Sequence, residues 1–419
     1  MHILIIPSEE FVPVHNPMAG IFQYHQATIL NQAGYKVGVL SITQSFSIPM
    51  LLKGLAAKAL RQKVGNAMDQ YTVRETVKLG YDKMFRPERF IRKEVDKGMP
   101  VFRIDGFYYK PPVDNYNHFG WIKAGLAAFK QYVQEHGKPD IIHAHNALYA
   151  GMLAQQLYRQ YHLPYIVTEH STVFARKLIS NKKVLQRIKN VYNDALVLTA
   201  VSKPFCRLLN ETFKLERFYY LPNVLDPELQ MKEYVNKTKD NKPFTFINIA
   251  ELHPKKDHFT LIKAFKKLYG IDNNIQLWIG GEGELSAELR ALVEKEQLQK
   301  AVHFLGVLNR QQVSDYLMKA DCFVLPSKFE TFGVVVIEAM LFGKPVIVTR
   351  CGGPESFVHK DMGMVIEKGN EQQLADAMLQ MLRHCCHYQP EQIRKFAIEH
   401  FGQEKFLQQI GTIYKKAIA

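Results

Sequence analysis

Long apolar runs are missing from this 419-residue chain. Spanning a bilayer as a helix takes about 18 or more consecutive apolar residues, and the longest candidates are interrupted by charges such as Glu338 and Lys344, so no transmembrane helix is expected. The amino-terminal Met-His-Ile-Leu-Ile-Ile-Pro lacks a basic flank and is too short for a signal-peptide core; it reads as a buried strand. Cysteine is scarce. Cys206, Cys322, Cys351, Cys385 and Cys386 form no CxxC pair and no even framework, which suits reduced thiols in a cytosol. His384-Cys385-Cys386-His387 is the one dense cluster of soft ligands. Neighbouring side chains on a helix point about 100° apart, so four consecutive residues do not converge on a tetrahedral ion. Asp-x-Asp, used by many enzymes to hold a divalent cation on a diphosphate, does not occur, and neither does the phosphate loop GxxxxGK[ST]. No metal site and no cofactor are therefore expected.

What is present is ordinary globular material, 47% apolar and 22% charged, in a chain long enough for two domains of about 200 residues. Short apolar runs at 2–6, 37–42, 140–144, 164–168 and 196–201 each precede a helical pattern. The alternation restarts at 244–249, 275–279, 302–304, 322–325 and 345–348. Strand-helix alternation predicts parallel sheets covered by helices, hence an α/β chain of two Rossmann-like domains. Pro222-Asn223-Val224-Leu225-Asp226-Pro227 and the polar stretch to Pro243 read as the linker. The expected division is 1–222, a linker at 223–243, a second domain at 244–400, and a closing helix at 401–419 that returns to the first domain. Ligands of such sheets bind beyond the carboxyl ends of the strands, so a cleft between facing domains is the expected active site.

Charge is unevenly distributed. Residues 1–222 hold 29 Lys and Arg against 16 Asp and Glu, a balance of +13, whereas residues 223–419 hold 25 against 24, a balance of +1. A basic half implies an anionic partner: a phosphorylated substrate, an anionic membrane surface or nucleic acid. Residues 50–64 place Leu51, Leu52, Leu55, Ala59 and Leu60 near helical spacing beside Lys53, Lys58, Arg61 and Lys63, without an acid, which is the pattern of a helix lying in a membrane interface. Basic residues elsewhere lack the aromatic interleaving of a nucleic-acid surface, and no partner nucleic acid is expected.

The chemistry-bearing stretch runs from Ala320 to Val358. A buried strand ends near Pro326, a loop carries Glu330, and a helix starting near Gly333 places Glu338 about two turns in. Free N–H groups at such a helix start make an anion site, and glycine lets phosphate approach. Glu330-x7-Glu338, with Pro326-Ser327, Phe332-Gly333 and Glu338-Ala339 around it, resembles the retaining nucleotide-sugar glycosyltransferases of family 4, which have the GT-B fold. The segment Ala250-Glu-Leu-His-Pro-Lys-Lys256 is similar to that family's Gly-Arg-Leu…Lys segment, and Gly280-Gly-Glu-Gly283 follows a strand as a Rossmann turn does. Matches in the first half are Ala19-Gly20, Pro139-Asp-Ile-Ile-His143-Ala-His145, Thr168-Glu-His170, Val201-Ser202 and Pro222-Asn223. Residues 45–110 stand outside the resemblance.

The resemblance implies roles. Glu330 contacts the donor sugar, the amides of Gly333 and Val334 hold the diphosphate, Phe332 beside them belongs to the donor site, and Glu338 accepts from both ribose hydroxyls. Lys256 meets the charge of the leaving diphosphate as a catalytic group. Gly20 faces the donor phosphates, and His145, with His170 as a weaker candidate, hydrogen-bonds the donor sugar. Glu251 departs from the pattern, since it stands where the family carries arginine; Lys255 or an arginine of the other domain is the candidate replacement. The implied reaction transfers a sugar from a nucleoside diphosphate, UDP on family frequency, without a metal, to a saccharide or lipid-linked saccharide in cell-envelope polysaccharide or glycolipid synthesis. The implied location is the cytoplasm, on the inner face of the membrane. A nucleotide-sugar epimerase or a phosphorylase uses the same fold, and these remain the alternatives within enzymes.

Overall fold

The computed structural model describes residues 1–12, 20–59, 71–108, 118–232 and 242–418. Among the described residues fourteen strands form two sheets. In the first half they are β1 (His2–Pro7), β2 (Lys36–Ser47), β3 (Arg92–Asp96), β4 (Met99–Tyr108), β5 (Ile141–His145), β6 (Tyr165–Glu169), β7 (Val197–Ala200) and β8 (Phe218–Tyr220). The second half supplies β9 (Phe244–Ile249), β10 (Ile275–Gly280), β11 (Val302–Gly306), β12 (Cys322–Leu325), β13 (Val346–Thr349) and β14 (Gly363–Ile366).

The first sheet runs β3-β4-β2-β1-β5-β6-β7-β8 and the second β11-β10-β9-β12-β13-β14. Every residue of β1 and of β9 is buried, as expected of central strands covered on both faces. β1 pairs in parallel with β2 on one side and β5 on the other, and β9 likewise with β10 and β12. Strand order therefore reverses at β1/β5 and at β9/β12, and the carboxyl ends of these pairs are the two places where each sheet opens to a ligand. The loops after β9 and β12 hold Lys256 and Glu330, while β5 ends on His145.

Strands that the apolar runs did not reveal have local reasons. β3 and β4 form an antiparallel hairpin, turned by Lys97 and Gly98, both at positive φ as a two-residue hairpin turn requires. β3 is exposed at all but its last, half-buried position, so Arg92-Lys-Glu-Val-Asp96 shows no apolar signature. The contact pattern divides the chain into Met1–Glu169, Ile179–Thr199 and Ile410–Ala419 as one compact unit, and His170–Leu178 with Ala200–Gln409 as the other. This division falls upstream of residue 222 because hydrogen bonds tie the intervening stretch into the second unit. Ser202 Oγ donates to Gly352 O at 3.2 Å and Leu225 N–H to Phe401 O at 2.8 Å. In the first unit Tyr414, fully buried on the last helix, hydrogen-bonds Nδ1 of His143 at 2.9 Å, while Nε2 of that ring meets Thr168 Oγ1 at 2.7 Å. Burial holds His143 down to about 3, so it is a neutral hydrogen-bonding strut.

A second buried polar group braces the ends of β5 and β6. Glu169 is fully buried, and its Oε1 accepts both the Ala147 N–H at 2.6 Å and the Tyr192 hydroxyl at 2.7 Å. Burial pushes this carboxyl up to about 7, against the pull of those two donors toward the ionised form. A folded-state value above the unfolded one gives stability that is complete below about 4.5 and is lost as pH rises through about 7. Glu169→Gln keeps an acceptor oxygen for both donors and removes the titration. Between pH 4.5 and 8 the wild type should lose roughly 3 kcal/mol relative to the Gln variant, read as diverging urea midpoints. Parallel pH profiles would show that the carboxyl does not titrate in this way.

Candidate active site

The second unit assembles its charged residues from two loops. After β9 the chain makes a tight turn at Pro254–Lys256, capped by His253 Nδ1, which accepts the Lys255 N–H at 3.1 Å. Lys328 in the loop after β12 donates its N–H to Lys255 O at 2.8 Å and so fastens the two loops together. This brings Lys256 Nζ to 2.5 Å from Glu330 Oε1. The same oxygen accepts the Ser327 hydroxyl at 2.8 Å. Both charged side chains are largely buried, so removing either one strands the other in a weakly solvated place. His258, two residues beyond Lys256 at the start of the next helix, is held down to about 4 by burial and by the Lys256 charge, and is bound to Asn248 Oδ1 at 2.9 Å.

Three residues past Glu330 the chain enters the helix Val334–Leu341 through Gly333, which sits at φ 89° and offers no side chain to the first N–H groups. A side chain at Gly333 would be strained at that φ and would press on Pro354 at 3.0 Å, so the helix start stays open to an anion. Phe332 departs from its expected role. Its ring is 1% exposed and packs on Phe357 and Phe401 at 5.2 and 5.5 Å, so it anchors the loop from below and does not face a ligand.

Glu338 is the fifth residue of this helix, a little over one turn from its start where two turns were expected. Its neighbours are apolar and it is 1% exposed. An unpaired carboxylate there would be several kcal/mol uphill. Arg310 resolves this: Nη1 donates to Glu338 Oε1 at 2.8 Å, Nε donates to Asp226 Oδ2 at 2.9 Å, and Nη2 donates to that same Asp226 oxygen. Burial lowers the guanidinium's pKa, but the two carboxylates outweigh it and the net shift is upward. Sequence reading missed Arg310 and Asp226, and it left both Glu338 oxygens for a ribose where the structure leaves one.

The departure at Glu251 is also clarified. Its side chain is 59% exposed and pairs with Lys255 at 3.4 Å, so Lys255 is engaged with Glu251 itself. Glu355 accepts the Gly352 N–H at 2.8 Å and holds the glycine loop beside Glu330, whose N–H bonds Cys351 O at 3.1 Å. Thr331 Oγ1 donates to the backbone oxygen of His170 at 2.7 Å, which places His170 in this unit through its main chain. All five cysteines are free, and among the described residues no group of three His, Cys, Asp or Glu side chains is arranged to hold a metal ion.

In the first unit Gly20 begins the helix Ile21–Gln32 at φ 65° without a side-chain cap, while Ala19 lies outside the described residues. His145 ends β5 with its ring stacked on His143 at 4.4 Å and no solvent exposure.

Residues 230–399 match the family described as Glycosyl transferases group 1, and residues 87–229 match Glycosyltransferase Family 4. The chain is 28% identical over 342 residues to N-acetyl-α-D-glucosaminyl L-malate synthase of Bacillus anthracis, covering 76% of this chain and 87% of that protein. To the teichuronic acid biosynthesis glycosyltransferase TuaC of Bacillus subtilis it is 29% identical over 325 residues, 74% of this chain and 75% of the other. The crystal structure of HepE from Anabaena in complex with UDP superposes with a TM-score of 0.69 at 18% identity, covering 99% of this chain and 100% of that one. The two family matches abut between residues 229 and 230 and run without a gap from 87 to 399, over two parallel-sheet α/β units, and the chain thus belongs to the family-4 glycosyltransferases of the GT-B fold.

Proposed function

We propose that this glycosyltransferase moves a sugar from UDP, with retention of anomeric configuration, to a saccharide or lipid-linked saccharide used in cell-envelope polysaccharide synthesis. The observation that carries the reading is the convergence of Lys256 and Glu330 beside an open helix start at Gly333, with Glu338 one turn further on. A nucleoside diphosphate sugar presents a ribose, two phosphates and a sugar in that order, and the second unit offers a carboxylate, free amides with a cation, and a carboxylate in the same order. The teichuronic acid relative and the UDP-bound neighbour support the acceptor class and the donor base.

On this reading the acceptor hydroxyl attacks the anomeric carbon on the face from which the diphosphate departs. The bond from the anomeric carbon to the phosphate oxygen breaks, and the departing phosphate oxygen takes the hydroxyl proton. Charge grows on the diphosphate during this step. Lys256 and the amides after Gly333 stabilise the transition state more than the ground state, without a divalent ion. Glu338 receives a ribose hydroxyl on Oε2, since Arg310 occupies Oε1. Glu330 positions the donor sugar, and Gly20 and His145 are assigned to the donor by family resemblance. The work is cytoplasmic, against the inner face of the membrane.

Three outcomes are expected. Glu338→Ala should weaken UDP binding by roughly 1.5–3 kcal/mol, the range for a charged hydrogen bond, and unchanged affinity by calorimetry removes Glu338 from the ribose. Lys256→Ala should lower kcat by about 10²–10³ with a smaller change in donor affinity, on the scale of other lost transition-state donors. Turnover should persist in excess EDTA, and an absolute need for Mg²⁺ or Mn²⁺ contradicts the metal-free mechanism. The donor base is read from a thermal-shift panel of UDP-, GDP- and ADP-sugars, because the ligand that binds the folded state raises the melting temperature.

A further inference from the structure

The first unit carries an exposed face that the chemistry above does not use. The helix Ile48–Ala59 packs against the helix Val73–Phe85, with Leu51 pressed on Gly80 and a small cluster of Met50, Leu51, Leu79 and Met84 closing over Phe107. The inner side of the second helix is thereby spent. Its outer side presents Val73, Val77, Tyr81 and Phe85, exposed by 50, 51, 52 and 57%. At about 100° per residue these four advance by about 40° each, so they form one stripe about 120° wide. Scattered exposed apolar residues are common, but four in line along three turns are not.

The charges around the stripe are sorted. Arg74 and Lys78 project from the same side of the helix and are exposed, and so is Arg86, whose guanidinium lies 5.9 Å from the Tyr81 ring. Lys123 reaches to 5.4 Å from the Phe85 ring. Of the acids nearby, Glu75 closes the capping box with Thr72, Asp82 is buried and paired with Arg89, and Glu88 is exposed beyond the end of the helix. Residues 48–91 hold nine Lys and Arg against four Asp and Glu, a balance of +5 in 44 residues of the +13 half. The helix also lies ahead of residue 87, where the family match begins.

We propose that the helix Val73–Phe85 is a docking element for an anionic lipid bilayer, its stripe entering the boundary between headgroups and acyl chains and its cations resting on lipid phosphates. This deepens, and rests on, the reading that the acceptor is presented at the membrane. An apolar face with interleaved cations in excess over acids matches that boundary in both chemistry and charge. It differs from the segment at 50–64 singled out in the sequence. There Leu52 is exposed, but Arg61, Lys63 and the Lys58 side chain lie outside the described residues.

The test is co-sedimentation of the full chain with phosphatidylcholine vesicles, with and without phosphatidylglycerol. Wild type should bind the anionic vesicles at low salt and release as salt rises toward 1 M, where the Debye length falls to about 3 Å. The triple variant Val77→Ser, Tyr81→Ser, Phe85→Ser should bind roughly tenfold or more weakly, the scale of withdrawing three side chains from the acyl boundary. Arg74→Gln, Lys78→Gln, Arg86→Gln should lose the salt-dependent part. All six positions are exposed and none is a residue assigned to the donor, so UDP affinity and melting temperature serve as controls for folding. The proposal falls if wild type ignores anionic vesicles, if the Ser triple binds like wild type, or if only Gln at Lys53, Lys58, Arg61 and Lys63 abolishes binding. It falls equally if the Ser triple turns a dimer into a monomer in sedimentation velocity without changing vesicle binding, since the face is then an interface between two copies. Vesicle binding through the stripe without turnover of any lipid-linked saccharide upholds the docking element and removes the acceptor reading.

Discussion

A carboxylate buried inside an apolar helix cannot stand alone, and much of the second unit follows from that constraint. Val334–Leu341 is a helix of valine, isoleucine, leucine, methionine and alanine with one charge, Glu338. Arg310 reaches it from the start of another helix and is held in turn by Asp226, so three residues from separate parts of the chain become one ionic cluster. Two carboxylates on one guanidinium leave the cluster with a formal charge of −1. Removing the arginine would strand two carboxylates, whereas removing Asp226 would leave a neutral pair. Arg310 is thus the member on which the others depend, and it occupies Oε1 of Glu338.

Local chemistry was legible in the sequence wherever one contiguous segment carries it. Glu330, Gly333 and Glu338 sit within nine residues, so a strand, a loop and a helix start suffice to bring them together. The parallel sheets were legible for the same reason, because buried strands such as β1 and β9 are unbroken apolar runs. Arg310 and Asp226, 84 residues apart, had no such signal, since their pairing exists only once the second unit has folded. Lys255 shows the converse error: sequence proximity made it a candidate phosphate ligand, and an i,i+4 pair with Glu251 absorbs it. Phe332 looked like part of the site because of its neighbours, yet alternation along the loop turns its ring into the Phe357–Phe401 cluster. Val73, Val77, Tyr81 and Phe85 have the spacing of a core-facing helix. Only burial reveals that the core is on the other side.

On the proposed reading, the contact between Lys256 and Glu330 bears on how a donor is selected. Without a ligand each group satisfies the other at 2.5 Å, with Ser327 adding a neutral donor to the carboxylate. An arriving diphosphate competes for the ammonium and leaves Glu330 with Ser327 as its remaining partner. A donor sugar with a hydroxyl aimed at that oxygen restores the lost bond, whereas a deoxy sugar leaves a largely buried carboxylate short of a partner. Unmet groups of this kind cost more than an average hydrogen bond gains, so on that reading the pair would discriminate against the deoxy sugar more strongly than it would attract the hydroxylated one. On the proposed reading, selection among sugars at this position comes from exchanging one ion pair for a phosphate contact and a hydroxyl contact made together.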